Sequence, residues 1–158
     1  MGGYAVFDID GVLADVRHRL HYLERRPRRW ETFFRMAVRD DVLADGYELA
    51  HESVAQGLTV AYSTGRPERY RADTQDWLIR VGLPAGDLHM RADHDRRPAR
   101  ITKVQVARRL QAQLPIRYLV DDDDRVVEAL RSAGFEVIHA TWMHTAPTLH
   151  QAQEEGRS

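Results

Sequence analysis

At 158 residues the chain is long enough for one domain with a real core, and too short for two of ordinary size. Hydrophobic residues make up 43% and charged residues 30%, and no stretch approaches the roughly 20 apolar residues of a membrane span, which excludes a helical membrane protein. The formal net charge of −1 argues against indiscriminate nucleic-acid binding while allowing a local basic patch, and the absence of cysteine excludes disulfides, thiol nucleophiles and thiolate metal sites.

The first element is the run Tyr4-Ala5-Val6-Phe7, which reads as a buried strand and leads into Asp8-Ile9-Asp10-Gly11-Val12. A strand starting this early leaves no room for a signal peptide, so the expected location is cytoplasmic. In an extended strand alternate side chains share a face, so Asp8 and Asp10 are expected to point the same way at its C-terminal end. Gly11 then allows a sharp turn. Two close carboxylates repel each other, and a divalent cation such as Mg2+ would relieve that repulsion. A solvated Asp-x-Asp-Gly turn fits the same residues.

Residues 13–45 lack strand character. A helix is expected over Arg17–Glu24, Pro27 interrupts it, and a second is expected from Trp30 to Ala37. Val16–Arg39 holds eight arginines against Glu24 and Glu31 alone, a charge of about +6, with Tyr22, Trp30, Phe33 and Phe34 interleaved. Such a segment can grip a sugar-phosphate backbone and stack bases, or form a solvated basic face over buried aromatics.

An amphipathic helix is expected over Asp45–Gln56, stopped by Gly57, and a strand over Leu58–Ser63. Thr64-Gly65-Arg66-Pro67-Glu68 then starts a helix that runs through Trp77 to Val81. Thr64 and the helix-start amides make an anion site in one reading and an ordinary N-cap in the other. A short strand is expected at Gly86–Met90, a polar loop from Arg91 to Arg100, and a helix over Ile101–Gln113 with Lys103 in its first turn. A strand over Pro115–Val120 leads into Asp121-Asp122-Asp123-Asp124, a helix through Leu130 closed by Gly134 follows, and Phe135–Ala140 is the last strand. The tail from Thr145 to Ser158 is polar and is expected to be loose.

Of the 23 Lys and Arg residues only Lys103 is lysine. A compact ammonium approaches a phosphate or carboxylate in a way that a planar guanidinium does not, although an arginine-biased composition could spare one lysine by chance. Lys103 lies between Thr102 and Val104, so the Gly-Lys-Ser/Thr loop of a nucleotide kinase is excluded. Strands alternating with helices predict an α/β fold, a Rossmann-like parallel sheet with helices on both faces and a small helical cap inserted after the first strand. Asp8, Thr64 and Asp121 all fall at carboxyl ends of strands, where ligands bind in such sheets.

Asp8-Ile9-Asp10-Gly11-Val12, Thr64 after a strand, Lys103, and Asp121-Asp122 after another strand resemble, in order, the four motifs of the haloacid dehalogenase superfamily. The resemblance runs to about Trp142. Thr64-Gly65-Arg66 and the helix after Asp121-Asp122 are similar to the 3′-phosphatase domain of phage-type polynucleotide kinase-phosphatases. Val12 stands where threonine is usual, and Asp123 where arginine often follows the aspartate pair.

The resemblance implies a single phosphatase domain over residues 1–158. It implies that Asp8 attacks phosphorus to form an aspartyl-phosphate, and that Asp10 acts as acid and then base. Thr64, Gly65, Arg66 and Lys103 are implied to bind substrate. Asp8, Asp10 (through its backbone carbonyl), Asp121 and Asp122 are implied to hold Mg2+. Arg66 is a candidate for a flanking nucleic-acid phosphate or sugar, or else a helix-surface ion pair. The expected substrate is the 3′-phosphate end of DNA or RNA, the alternatives being a free nucleotide or small phosphomonoester, or a non-catalytic binding module of this fold. No membrane partner is expected.

Overall fold

A computed structural model of the protein describes residues 2–143 and 147–155. Strand β1 (Tyr4–Phe7) is buried on both faces, which is why its sequence is continuously apolar rather than alternating. It lies at the centre of a five-stranded parallel sheet. On one side are β4 (Thr59–Pro67) and then β5 (Asp87–Arg91). On the other are β6 (Ile116–Asp121) and then β7 (Val137–His139). The registers Phe7–Tyr62 and Phe7–Val120 bring the carboxyl ends of β1, β4 and β6 to one edge.

Alternation along the strands assigns the two cores. Ala5 and Phe7 pack with Val60, Tyr62 and Leu88 against α2 (Ala44–Ala55) and α3 (Arg71–Arg80), through Ala50, Trp77 and Leu78. Tyr4 and Val6 pack with Ala61 and Leu119 against α4 (Ala99–Gln111) and α5 (Asp124–Ser132), through Val106, Leu110, Val126 and Leu130. Helices therefore cover both faces, as the strand–helix alternation predicts. Among the described residues no helix is long and apolar enough to cross a membrane.

The insertion after β1 is mostly helical. It comprises a 3-10 turn at Arg17–Leu23, helix α1 (Trp30–Arg35) and a second 3-10 turn at Met36–Arg39. It also contains what the sequence pattern did not predict, a two-residue antiparallel ribbon of β2 (Ala14–Asp15) and β3 (Asp41–Val42) that closes its base.

Several boundaries differ from expectation. β1 stops at Phe7, because the Ile9 carbonyl accepts from the amides of Val12, Leu13 and Ala14 and folds the chain back. Asp8 and Asp10 therefore sit in a tight loop, not on one strand face. β4 runs on to Pro67, and its helix begins at Arg71 after a 3-10 turn at Glu68–Tyr70, so no helix start lies at Thr64. Helix α4 begins at Ala99, which puts Lys103 in its second turn.

The largest difference lies in the tail. Residues 147–155 form helix α6 (Pro147–Glu155), with Leu149 and Ala152 fully buried one turn apart. They join Val16, Leu23, Phe33, Phe34 and Met143 in a third core under the insertion. The other residues of the expected tail, 145–146 and 156–158, lie outside the described residues.

Helix α2 braces the loop that follows β1. A Cβ on Gly46 would come 2.0 Å from the Val12 carbonyl oxygen, so only glycine permits this approach. Gly46→Ala should destabilise the protein by about 2 kcal/mol net, since overpacking outweighs the gain of about 1 kcal/mol in helix propensity. Thermal unfolding should show a Tm lower by about 6 °C. An unchanged or raised Tm would show that the helix and loop can separate freely.

Candidate active site

The site is assembled where β1, β4 and β6 end. Asp8 follows β1; its amide donates to the Val120 carbonyl at 3.0 Å, and its Oδ1 accepts from the Ile9 amide at 2.8 Å. Asp121 is the last residue of β6, and its Oδ1 accepts from the Asp123 amide. Asp123 in turn caps α5 by accepting from the Arg125 amide. Gly11, at φ +85°, lets Asp122 lie against the loop, because a Cβ there would fall 2.1 Å from Asp122 Oδ2. Lys103 reaches in from α4 and bridges two of the acids, with Nζ 3.0 Å from Asp8 Oδ1 and 2.7 Å from Asp121 Oδ2.

All four groups are buried. Burial pushes the Asp8 carboxyl well above the usual carboxylate range; Asp121, Asp122 and Asp10 add to the rise, and Lys103 opposes it. Asp121 is raised for the same reason, again against the pull of Lys103. Burial alone would lower Lys103, but Asp121 and Asp8 hold it firmly protonated. One ammonium against three carboxylates leaves an excess of negative charge. Two oxygens, Asp8 Oδ2 and Asp122 Oδ1, are buried without a hydrogen-bond partner. Asp8, Asp121 and Asp122 each offer a ligand atom within 4.8 Å of the others.

Asp10 belongs to a different arrangement. Its Oδ1 accepts from Arg66 at 2.6 Å and from Arg19 at 2.9 Å. Both arginines also reach Asp40, at 3.3 and 2.7 Å. His18 Nε2 lies 2.6 Å from the other Asp40 oxygen. Burial would raise the Asp10 carboxyl, but Arg66 and Arg19 bring it down to about 2. Trp77 fixes the Asp40 backbone by donating its indole N–H to the carbonyl at 2.9 Å. The cluster thus ties the insertion, through Arg19 and Asp40, to the loop after β1 and the end of β4.

The structure brings Asp8, Lys103, Asp121 and Asp122 together and sets Asp10 and Arg66 beside them. Arg66 lies neither on a helix surface nor open to solvent; its side chain is 1% exposed and committed to Asp10 and Asp40. Thr64 is buried within β4, and its Oγ1 accepts from the Arg66 amide at 3.1 Å, so it caps no helix. The Gly65 carbonyl accepts from Arg91. Gly65 and Asp10 border a pocket lined also by Trp30, Phe33 and Phe34 and by Leu149 and Ala152 of α6.

Sequence reasoning did not single out Arg19, Asp40 or His150. His150 Nε2 lies 2.8 Å from Asp122 Oδ2. The available signal was Pro147 at a helix start, followed by Leu149 and Ala152 at helical spacing. For Arg19 and Asp40 the signal was that buried aspartates need cationic partners and that the insertion is rich in arginine.

Half of the eight arginines of the expected basic face, Arg19 among them, are paired with carboxylates. Arg17 bonds Asp15, Arg26 and Arg28 bond Glu155 of α6, and Arg29 lies over the Tyr22 ring.

Comparison with known proteins bears on what this site does. The family described as the polynucleotide kinase PNKP phosphatase domain matches residues 3–141. No curated protein matches the chain. Among solved structures, a chain of the Pnkp1/Rnl/Hen1 RNA repair complex is similar at TM-score 0.72 and 24% identity, over 87% of this chain and 42% of that one. This chain therefore spans less than half the length of that relative. The class C acid phosphatase of Bacillus anthracis with tungstate bound is similar at TM-score 0.64 and 16% identity, over 91% and 69% of the two chains. The haloacid dehalogenase-like hydrolase SP0104 from Streptococcus pneumoniae is similar at TM-score 0.61 and 11% identity, over 95% and 90%. At these identities the structures speak for the fold, while the family match covers most of the chain. The chain belongs to the PNKP phosphatase-domain family, within the haloacid dehalogenase superfamily, and is a phosphatase.

Proposed function

We propose that the protein is a Mg2+-dependent phosphomonoesterase that works through an aspartyl-phosphate on Asp8, and that its substrate is the 3′-phosphate end of DNA or RNA. The observation that carries the chemistry is the state of Asp8. One of its oxygens is held by Lys103 and the Ile9 amide, and the other is buried without a partner beside two further carboxylates.

The donor set fits a divalent cation. The unpartnered oxygens of Asp8 and Asp122, the nearness of Asp121, and the all-oxygen chemistry suit Mg2+. Asp8, Asp121 and Asp122 would hold it, with the Asp10 backbone carbonyl as a further oxygen. Once bound it would offset the carboxylate charge that otherwise repels a phosphate dianion.

In the proposed reaction the Asp8 carboxylate attacks phosphorus, and the bond from phosphorus to the departing alkoxide breaks. Lys103 donates to the phosphoryl oxygens, joined by the Thr64 hydroxyl. Asp10 gives a proton to the alkoxide, then takes one from the water that cleaves the aspartyl-phosphate. Arg66 and Arg19 hold Asp10 at about 2, which is the base form needed for the second step. For the first step their grip must loosen, and an arriving phosphate dianion competes for the same guanidiniums. Arg66 thereby serves Asp10 and substrate in turn.

The family assignment and the aromatic wall beside Asp10 support the polynucleotide reading. A second reading, a phosphatase of free nucleotides or small phosphomonoesters, is favoured by one feature: α6 narrows the pocket beside Asp10. Phosphate release from oligonucleotide 3′-phosphates, oligonucleotide 5′-phosphates and mononucleotides separates the two. The oligonucleotide 3′-phosphate should have the highest kcat/KM. A mononucleotide at least as good would replace the polynucleotide reading with the second.

Asp8→Asn should lower turnover by on the order of 10,000-fold, because an amide neither attacks phosphorus nor ligates as a carboxylate does. Activity should vanish in EDTA and return with Mg2+. Undiminished release by folded Asp8→Asn protein would refute the mechanism. Lys103→Arg should lose on the order of 100-fold despite its retained charge, because a planar fork cannot occupy the point between Asp8 and Asp121. Near-normal kinetics would make Lys103 dispensable to phosphate binding.

A further inference from the structure

Helix α6 commits five of its nine side chains to groups of the insertion, of α4 and of the site. Its carboxylates take arginines. Glu155 pairs with Arg26 at 2.8 Å and Arg28 at 2.6 Å, and Glu154 pairs with Arg100 at 2.9 Å. Its apolar face, Leu149 and Ala152, covers the wall formed by Trp30, Phe33 and Phe34. His150 takes an oxygen of Asp122.

These are the groups that a nucleic-acid strand would use. Phosphate oxygens pair with guanidiniums as carboxylates do, and bases stack on aromatic rings where Leu149 and Ala152 now lie. The helix is also weakly held. It has nine residues, below the length that is stable alone in water, and it buries two side chains fully. Two of its three ion pairs are solvated, with the Arg26 and Arg100 side chains 64% and 43% exposed, while the third is made by the 8% exposed Arg28. An element of this kind opens at low cost.

We propose that α6 is a built-in mimic of the nucleic-acid strand, lying along the strand's path and displaced by it. The proposal rests on the polynucleotide reading above. The aromatic wall and the arginines Arg26, Arg28 and Arg100 form the strand's docking surface. Glu154 and Glu155 offset most of that surface's charge until a polyanion competes for it. A single phosphomonoester, too small to reach these arginines, leaves the helix in place. The cover thus discriminates by substrate length and also screens the site from indiscriminate anions.

The test is the double variant Glu154→Gln/Glu155→Gln of the 158-residue chain, which alters no group of the proposed catalytic cluster. The KM for an oligonucleotide 3′-phosphate should fall about fivefold, the scale expected for removing competing exposed ion pairs. The constants for p-nitrophenyl phosphate should stay as they were. The oligonucleotide KM should also depend more steeply on salt, by about 2 in log–log slope, since three arginines then meet phosphates without first leaving glutamates. An unchanged or higher oligonucleotide KM overturns the proposal, as does equal loss on both substrates, which would make α6 a permanent wall of the site.

A second measurement is free of turnover. In the Asp8→Asn protein, amide exchange across 148–155 should quicken on adding the oligonucleotide 3′-phosphate and not on adding inorganic phosphate. Slower or unchanged exchange with the oligonucleotide overturns it. The two readings fail separately. No preference for oligonucleotides in the release panel ends the polynucleotide reading. A preference that persists while α6 stays docked ends only the mimic.

Discussion

Carboxylates out of water need partners, and the functional end of this molecule is organised by that need. Asp8, Asp10, Asp40, Asp121 and Asp122 are all buried. An isolated buried charge is prohibitive, and each of these acids except Asp122, which meets His150, is met by a cation or shares one. Lys103 serves Asp8 and Asp121, whereas Arg19 and Arg66 serve Asp10 and Asp40. Compensation is thorough around Asp10 and incomplete around Asp8. That inequality separates a carboxylate held ionised by arginines from a cluster with negative charge and oxygens to spare, which suits a cation.

The same need explains how the insertion after β1 is held. Its ribbon has two residues per strand, and its helix α1 has six. Elements that short have little stability of their own. Arg19 and Asp40, about 70 Å of chain apart if fully extended, meet over Asp10, and Trp77 of α3 fastens Asp40 from below. Loss of either partner would leave a charge stranded in the interior, so the insertion and the loop after β1 are coupled energetically. Helix α6 completes the third core from the other side, with Leu149 and Ala152 supplying apolar surface that the insertion cannot bury alone.

Lysine and arginine divide the work by shape. The ammonium of Lys103 sits at one point between two carboxylates, from which it can also donate to a phosphoryl oxygen. The guanidiniums of Arg19 and Arg66 each span two carboxylates, which suits a planar fork. Of the other arginines of the insertion, Arg17, Arg26 and Arg28 are paired with carboxylates, so its formal charge of about +6 overstates the field that it presents.

The strand–helix order, the parallel sheet and the placement of Asp8, Thr64 and Asp121 at one edge were legible in the sequence, because burial on both faces produces continuous apolar runs and a glycine or proline marks each turn. Lys103 was legible because its chemistry is singular in an arginine-rich chain. Local pattern could not reveal that the chain folds back at Ile9, so that Asp8 and Asp10 face different partners. Nor could it reveal that Arg66 and Arg19 are buried in one ion-pair cluster with Asp40. Those facts depend on which charges meet across 9 to 56 residues of separation, and pairing at that distance leaves no local period. The tail shows the same division. Pro147, Leu149 and Ala152 carry a faint helical spacing, but only the waiting apolar surface of Phe33 and Phe34 makes those nine residues a helix and sets His150 against Asp122. Sequence determined the scaffold and the reacting groups, since these follow from local periodicity and residue chemistry. Tertiary structure decided the partners, since a buried charge takes whichever counter-charge the packing brings within reach.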